Sequence, residues 1–272
     1  MSKTILITGA SSGIGKETAK YFRDKNWNVV ATMRNPDDAS ELAGENVLIT
    51  KLDILDSDTI KNSVSKAKER FGSIDVLLNN AGYGSYGPLE GTPMTELKKQ
   101  FDVNFFGLVE LTQEVLPIMR GQKSGIIMNV SSIGGRMAFP FGSLYHSSKW
   151  AVEGLSEALQ YEVRLFGGIV KIIEPGGVKT NFGGRSFVFS NNEKLDEYQP
   201  MVQAFQKALS DIDYSNSQEP YEVAEVIWQA ATDNKDQLRY VSGTQAKSTL
   251  SRRYSIEKDE EFVQEMRKTY GM

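Results

Sequence analysis

Cysteine is missing from this chain of 272 residues and histidine occurs once. Without cysteine there are no disulfides, no thiol chemistry and no thiolate zinc sites, and no metal site is expected. Excess positive charge is also missing. Lys and Arg number 31 against 35 Asp and Glu, a net charge of -4 with a pI near 5.3. With no Lys/Arg run or Cys/His finger spacing either, nucleic acid is not an expected partner. No uninterrupted apolar stretch approaches the roughly 20 residues of a membrane span. The opening Met1-Ser2-Lys3-Thr4-Ile5-Leu6-Ile7 is too short an apolar run for a secretory signal. A soluble, cytoplasmic protein is expected. With no internal repeat or low-complexity linker, the chain fits a single α/β domain over residues 1–272.

What is present is an alternation of short β-rich runs with amphipathic segments. Runs at 4–8, 29–33, 47–52, 76–79, 125–130, 169–173 and 239–241 read as strands, near-continuously apolar as parallel strands buried on both faces should be. Between them, Asp56 or Ser57 can cap a helix carrying Ile60, Val64, Ala67 and Phe71 at helical spacing, ended by Gly72. Thr92-Pro93 marks another helix start. The rhythm predicts an α/β fold, a doubly wound parallel sheet of about seven strands with helices on both faces. The stretch 182–218 lacks the pattern and reads as a lid over the substrate. A charged extension follows at 248–272, fit to be a surface helix, a partner contact or a pocket edge.

Two motifs carry chemistry. Thr8-Gly9-Ala10-Ser11-Ser12-Gly13-Ile14-Gly15 follows the first strand and opens the first helix, where free N–H groups and the helix dipole favour a phosphate. Tyr145 and Lys149 stand four apart on one helix face, so an ammonium near the phenol is expected to lower its pKa and make it a usable acid or base. Asn79-Asn80-Ala81-Gly82 follows the fourth strand, Asn104 falls within the next helix, and Ser132 is placed at the end of the fifth strand.

Together, over roughly residues 3–245, these motifs resemble the short-chain dehydrogenase/reductase superfamily in its compact, single-domain, Rossmann-type branch. The resemblance implies that Tyr145 is the catalytic acid in carbonyl reduction and the base in reverse. Lys149 would lower its pKa and hold the nicotinamide ribose, Ser132 would hydrogen-bond the substrate oxygen, and Asn104 would hold a water in a proton relay. Ser132 is preferred over Ser131 because it matches the family's spacing to the tyrosine. His146, beside Tyr145, is read as a packing residue, since adjacent helical residues point in different directions.

The cofactor site implied in the same way comprises Gly9, Ser11, Ser12, Gly13, Ile14 and Gly15 in the first loop, with Asn80, Ala81 and Gly82 after the fourth strand and the Tyr145–Lys149 pair. Asp53 and Ile54 would meet the adenine. Pro175, Gly176, Val178 and Thr180 would line the nicotinamide side. The second strand ends at Met33 where an NAD-selective site places an acid, and Arg34 follows, suited to a 2′-phosphate. NADP(H) is therefore expected over NAD(H), with Asp37 and Asp38 nearby as the counter-argument.

Ile133, Phe139, Phe141 and Phe182 are the candidate substrate residues. With the aromatics of the lid they suit a hydrophobic ketone, aldehyde or alcohol. The leading expectation is an NADP(H)-dependent carbonyl reductase or alcohol dehydrogenase. An epimerase or dehydratase on the same scaffold and an idle nucleotide-sensing protein are the alternatives. Family members associate through the helices flanking Ser132, here about 96–120 and 145–166, so a homodimer or homotetramer is expected.

Overall fold

The computed structural model describes residues 2–180, 186–211 and 217–270. In chain order its elements are β1 (Thr4–Thr8), α1 (Gly13–Asp24), β2 (Asn28–Met33), β3 (Val47–Lys51), α2 (Ser57–Phe71), β4 (Val76–Asn79), β5 (Gly84–Tyr86), α3 (Met94–Phe101), α4 (Gly107–Gln122), β6 (Gly125–Val130), α5 (Ser143–Val163), β7 (Gly168–Pro175), β8 (Phe187–Phe189), α6 (Gln199–Ser210), α7 (Pro220–Thr232), β9 (Arg239–Ser242), α8 (Thr244–Ser255) and α9 (Asp259–Thr269). Seven strands form one parallel sheet in the order β3-β2-β1-β4-β6-β7-β9. The remaining two, β5 and β8, pair with each other in parallel.

Strand side chains alternate between faces, and both faces are covered. Ile5, Ile7, Val29 and Ala31 point toward Phe22 and Trp27, on the side of α1 and α7. Leu6, Val30 and Leu77 point to the opposite layer, where Ile60, Leu111 and Val163 of α2, α4 and α5 pack. Burying both faces explains why these strands read as apolar runs. Asp56 caps α2 by accepting from the Asp58 and Thr59 N–H groups, and Gly72 ends it in the left-handed region. Chain order reverses between β1 and β4, which opens a crevice at the carboxyl edge, where such sheets place ligands. Among the described residues no helix is long and apolar enough to cross a membrane.

Four expectations gain detail. The helix read across 96–120 runs through but carries a π-turn: α3 ends at Phe101, the π-turn spans Asp102–Phe106, and α4 continues from Gly107. Gly107 lies against Ile54, whose carbonyl oxygen would be 2.5 Å from any added Cβ, and the π-turn turns Asn104 inward. Helix α5 ends at Val163, and Arg164–Phe166 follow as a 3-10 turn. The segment 182–218 is not irregular throughout, although 182–185 and 212–216 lie outside the described residues. It contains β8, held by β5, and α6, which buries Val202 and Phe205 at helical spacing. The charged extension folds into the end of α8 and into α9, tied together by Arg252–Glu265 at 2.9 Å and Arg253–Asp259 at 2.6 Å.

Candidate active site

The chain leaves β1 through Gly9 (φ +69°) and enters α1 at Gly13 (φ +55°), left-handed conformations that glycine adopts without a Cβ clash. Gly15 approaches the loop so closely that a Cβ there would lie 2.4 Å from the Gly9 carbonyl oxygen and 2.6 Å from Asn80 Nδ2. The turn is fastened from β4. Asn80 Nδ2 donates to the Thr8 carbonyl at 2.8 Å, and Thr8 Oγ1 accepts from the Asn80 and Ala81 N–H groups at 2.9 Å each. Among the described residues, the N–H groups of Ser11, Ser12, Gly13, Ile14 and Gly15 find no protein acceptor, and the first turn of α1 carries no acid. Such a cluster is a ready anion cradle, so the residues present fit a dinucleotide pyrophosphate.

The 175–180 loop faces that cradle, with Thr180 Cγ2 3.1 Å from where a Cβ on Gly13 would stand. Gln218 anchors it. Lys179 N–H donates to the Gln218 carbonyl (2.8 Å), Gln218 N–H to the Gly177 carbonyl (3.2 Å), and Gln218 Nε2 to Ser242 Oγ (2.7 Å). The Val178 N–H has no protein acceptor among the described residues. Pro175 ends β7, and Gly176 packs against Ala246 of α8. Met33 is buried, whereas Arg34 is exposed and makes no hydrogen bond or ion pair among the described residues. Asp37 is also exposed. Asp53 serves as a turn aspartate, its Oδ1 accepting from the Leu55 N–H at 3.1 Å, beside the buried Ile54.

Tyr145 and Lys149 lie in the first half of α5, 8% and 7% exposed. Lys149 Nζ donates to the Val130 carbonyl at 2.8 Å and stands 5.9 Å from the centre of the Tyr145 ring. β6 ends at Val130, so Ser132 is two residues beyond the strand. It caps a 3-10 turn, its Oγ accepting from the Gly134 N–H at 3.0 Å and donating to the Pro175 carbonyl at 3.4 Å. That turn brings Ser132 into hydrogen-bonding contact with the Tyr145 hydroxyl. Burial dominates the charge balance of the pair. Burial raises the Tyr145 phenol above its ordinary 10.0, and the hydrogen bond with Ser132 opposes that rise. Lys149 is itself lowered by burial to about 8, with Glu153 opposing.

Asn104 uses its whole side chain in protein contacts. Oδ1 accepts from the Tyr83 N–H at 3.0 Å, and Nδ2 donates to the Tyr83 carbonyl at 2.9 Å and to Ser148 Oγ at 3.1 Å. Ser148 in turn donates to the Tyr145 carbonyl at 2.7 Å. Gly82 completes the group, since a Cβ there would lie 3.1 Å from Asn104 Oδ1 and 3.8 Å from Lys149 Nζ.

Of the candidate substrate residues, Ile133 is half-buried in the turn after Ser132. Phe139 lies against His146, and Phe141, at φ +60°, meets Phe189 and Phe205 at 6.0 and 5.2 Å. Phe182 lies outside the described residues. Sequence reasoning missed Tyr86, whose ring stacks on Tyr145 at 5.6 Å, and Tyr270, which stacks on Phe205 at 5.9 Å. It also missed the buried carboxylates Glu153 and Glu174, both reached by Arg239 at 3.0 and 3.4 Å. None of these follows a motif or a periodicity.

His146 does more than pack. Its Nδ1 bonds the Gly134 carbonyl at 3.0 Å and its Nε2 accepts from the Phe139 N–H at 3.1 Å, which joins the loop after Ser132 to α5. Burial lowers its pKa to about 4 from an ordinary 6.5. An unfolded chain protonates this histidine below 6.5 and the folded one only near 4, so its stabilising contribution is full above 6.5 and is lost between those values. Urea unfolding of wild type and His146→Gln should therefore show a stability difference that shrinks by roughly 2–4 kcal/mol from pH 7 to pH 4. Glu153, raised to about 7 by burial, works in the opposite direction but is present in both proteins and cancels. A difference independent of pH would contradict the neutral, doubly bonded imidazole.

The short chain dehydrogenase family profile matches residues 3–188. An uncharacterized oxidoreductase of Schizosaccharomyces pombe is 42% identical over 246 residues, 88% of this chain and 100% of that one. Among solved structures, a short-chain dehydrogenase from Streptomyces avermitilis superposes with a TM-score of 0.82 at 34% identity, covering 93% of this chain and 92% of that one. ElxO with NADP bound superposes with a TM-score of 0.74 at 27% identity, covering 91% and 100%.

Proposed function

The chain belongs to the short-chain dehydrogenase family, and from that premise we propose that it is an NADP(H)-dependent carbonyl reductase acting on an apolar ketone or aldehyde, with Tyr145 as the acid. The observation that carries this reading is the buried Tyr145 phenol, hydrogen-bonded to Ser132, at the same sheet edge as the open N–H cradle after β1. Bound there, a nicotinamide dinucleotide supplies a hydride to the carbonyl carbon.

The side chains manage the proton and the charge. Tyr145, kept protonated by burial, gives its proton to the carbonyl oxygen as negative charge develops there. Ser132 donates a hydrogen bond to the same oxygen. Lys149, cationic below about 8, presents its ammonium to the ribose hydroxyls while the Val130 carbonyl holds it in place. Asn104 acts as a positioning residue through Tyr83 and Ser148. The Val178 N–H suits a carboxamide oxygen. Self-association through α4 and α5 belongs to the same reading, supported by exposed Trp150 and Tyr161 of α5 and exposed Phe106 at the head of α4.

The NADP(H) preference rests on Arg34, an exposed cation at the end of β2 with no protein partner among the described residues. Oxidation of NADPH and NADH against a panel of ketones tests both cofactor and reaction. One charged hydrogen bond contributes on the order of 1.5–3 kcal/mol, so Arg34→Ala should raise KM for NADPH by about 10- to 100-fold. KM for NADH should stay within about twofold, because that contact requires the phosphate. A wild-type preference for NADH would overturn the role of Arg34, and absence of binding to either cofactor would overturn the whole reading.

A further inference from the structure

Three carboxyl groups gather just beyond Lys149, and the proton transfer leaves all of them unused. Glu153 follows Lys149 by one turn of α5, so the two share a helix face, and they are 5% and 7% exposed. Glu174 reaches the same space from β7 and is fully buried. Arg239 of β9 donates through Nε to Glu153 Oε2 at 3.0 Å and through Nη2 to the exposed Glu157 at 2.7 Å, and its Nε stands 3.4 Å from Glu174 Oε1. Arg136, which lies over the Tyr254 ring at 5.2 Å, donates to that same Glu174 oxygen at 2.9 Å. The turn after Ser132 closes on the group at Gly135, where an added Cβ would lie 2.6 Å from Ser131 Oγ, 2.9 Å from Glu153 Cγ and 3.1 Å from the Lys149 carbonyl oxygen.

Three carboxylates therefore face two guanidinium groups, and the Lys149 ammonium is the cation that completes the balance. Packing alone does not call for such a cluster, since replacing buried ion pairs by apolar residues is often neutral or stabilising. Glu174 Oε2 is buried with no hydrogen-bond partner among the described residues, an arrangement that costs stability. Charged groups kept in this way beside a reacting lysine point to a role in its chemistry. Burial and the Glu174 charge raise the Glu153 carboxyl to about 7, against Ser131 and Arg239. The Glu153 charge in turn opposes the effect of burial on Lys149.

We propose that Glu153 is a positioning residue of the active site: its carboxylate holds Lys149 in the ammonium form, and Glu174 with Arg239 governs how far that carboxylate is ionised. This deepens the carbonyl reductase reading and rests on it for what the ammonium does. The cluster reaches solvent at Glu157, so the charge beneath the ribose site is tied to β7 and β9 rather than to α5 alone. With Glu153 neutral, burial acts on the lysine unopposed and the ammonium is lost at a lower pH.

Carbon NMR titration of the full chain labelled in lysine and glutamate reads both groups with no substrate present, Lys149→Met and Glu153→Gln assigning the two signals. Glu153→Gln should lower the proton affinity of Lys149 about tenfold, so that it titrates near pH 7 instead of about 8, and Glu153→Asp, which keeps the charge, should hold it within about threefold of wild type. Linkage makes the effect mutual. Lys149→Met should therefore raise the proton affinity of Glu153 about tenfold, which keeps the test decisive if Glu153→Gln does not fold, and Glu174→Gln should lower it by about the same factor. In fluorescence titrations the alkaline loss of NADPH affinity should begin about one pH unit earlier in Glu153→Gln than in wild type. Lys149 titrating alike in wild type and Glu153→Gln, or Glu153 unmoved in Lys149→Met, would overturn the coupling, and Glu153 unmoved by Glu174→Gln would overturn the part given to Glu174. A shifted Lys149 without a matching shift in NADPH affinity would uphold the coupling and overturn the ribose role that the reductase reading gives to the ammonium.

Discussion

Replacing Tyr145 by phenylalanine is expected to lower kcat for ketone reduction about a thousandfold, within the span that a positioned general acid contributes, and to leave NADPH affinity within about twofold. The substitution removes one oxygen and nothing else. The ring is 8% exposed and stacked on Tyr86, so phenylalanine fills the same space. The lost hydrogen bond to Ser132 contributes about 1 kcal/mol to stability. The cradle of N–H groups after β1 belongs to a different loop and is untouched. Fluorescence titration with NADPH beside steady-state kinetics separates the two effects. Ser132→Ala should lower kcat about a hundredfold or more, and because both groups serve one oxygen, the double variant should lose much less than the product of the two. A Tyr145→Phe protein that retains a tenth of its activity would place the acid elsewhere.

The protonation state of the same phenol bears on its role. A tyrosine raised above 10 by burial is protonated throughout the neutral range and ready to act as an acid. To serve as a base it must first lose a proton that its surroundings help it keep. In the reductase reading the phenol enters the cycle as the acid, and the same group is the base of the reverse reaction. The spacing of Tyr145 and Lys149 correctly put both groups on one helix face. It gave no measure of their burial, and burial is the larger influence on both groups.

That contrast runs through the whole molecule. Strands such as Thr4–Thr8, Val76–Asn79 and Gly125–Val130 were legible to the residue, because a strand buried on both faces must be apolar along its length. The glycine loop was legible because backbone geometry restricts which residues fit there. Ser132 was misplaced by two residues, since apolar content does not show where a strand gives way to a 3-10 turn. The π-turn at Asp102–Phe106 is set by contacts with Ile54 and Tyr83, which are distant in sequence. Tyr86 and Tyr270 obey no local pattern at all. Their meeting through Phe205 depends on how α6 and α9 pack, and packing of that kind leaves no periodic trace in the chain.

Gly15→Ala offers the sharpest test of the cofactor cradle, because a single methyl group is enough to deform it. The new Cβ would stand 2.4 Å from the Gly9 carbonyl oxygen and 2.9 Å from its carbonyl carbon, backbone atoms that cannot swing aside as a flexible side chain can. Relief must come from moving the 9–13 loop or from tilting α1. Either movement disturbs the Thr8–Asn80 hydrogen bonds that fasten the turn. Overpacking of this sort costs about 1–3 kcal/mol in stability. Misplacing two charge-assisted N–H contacts to phosphate, each contributing on the order of 1.5–3 kcal/mol, should weaken NADPH binding by a hundredfold or more. Gly121→Ala is the control. That glycine sits in α4 with nothing within 4 Å of the added methyl, so the helix should gain up to about 1 kcal/mol and cofactor affinity should not move. Calorimetric titration of both variants with NADPH, beside urea unfolding, separates a general cost of adding a methyl group from damage to the cradle. If Gly15→Ala binds NADPH as wild type does, the close approach of α1 to Gly9 is not what shapes the phosphate site, and the open N–H groups of Ser11 to Gly15 must serve another ligand.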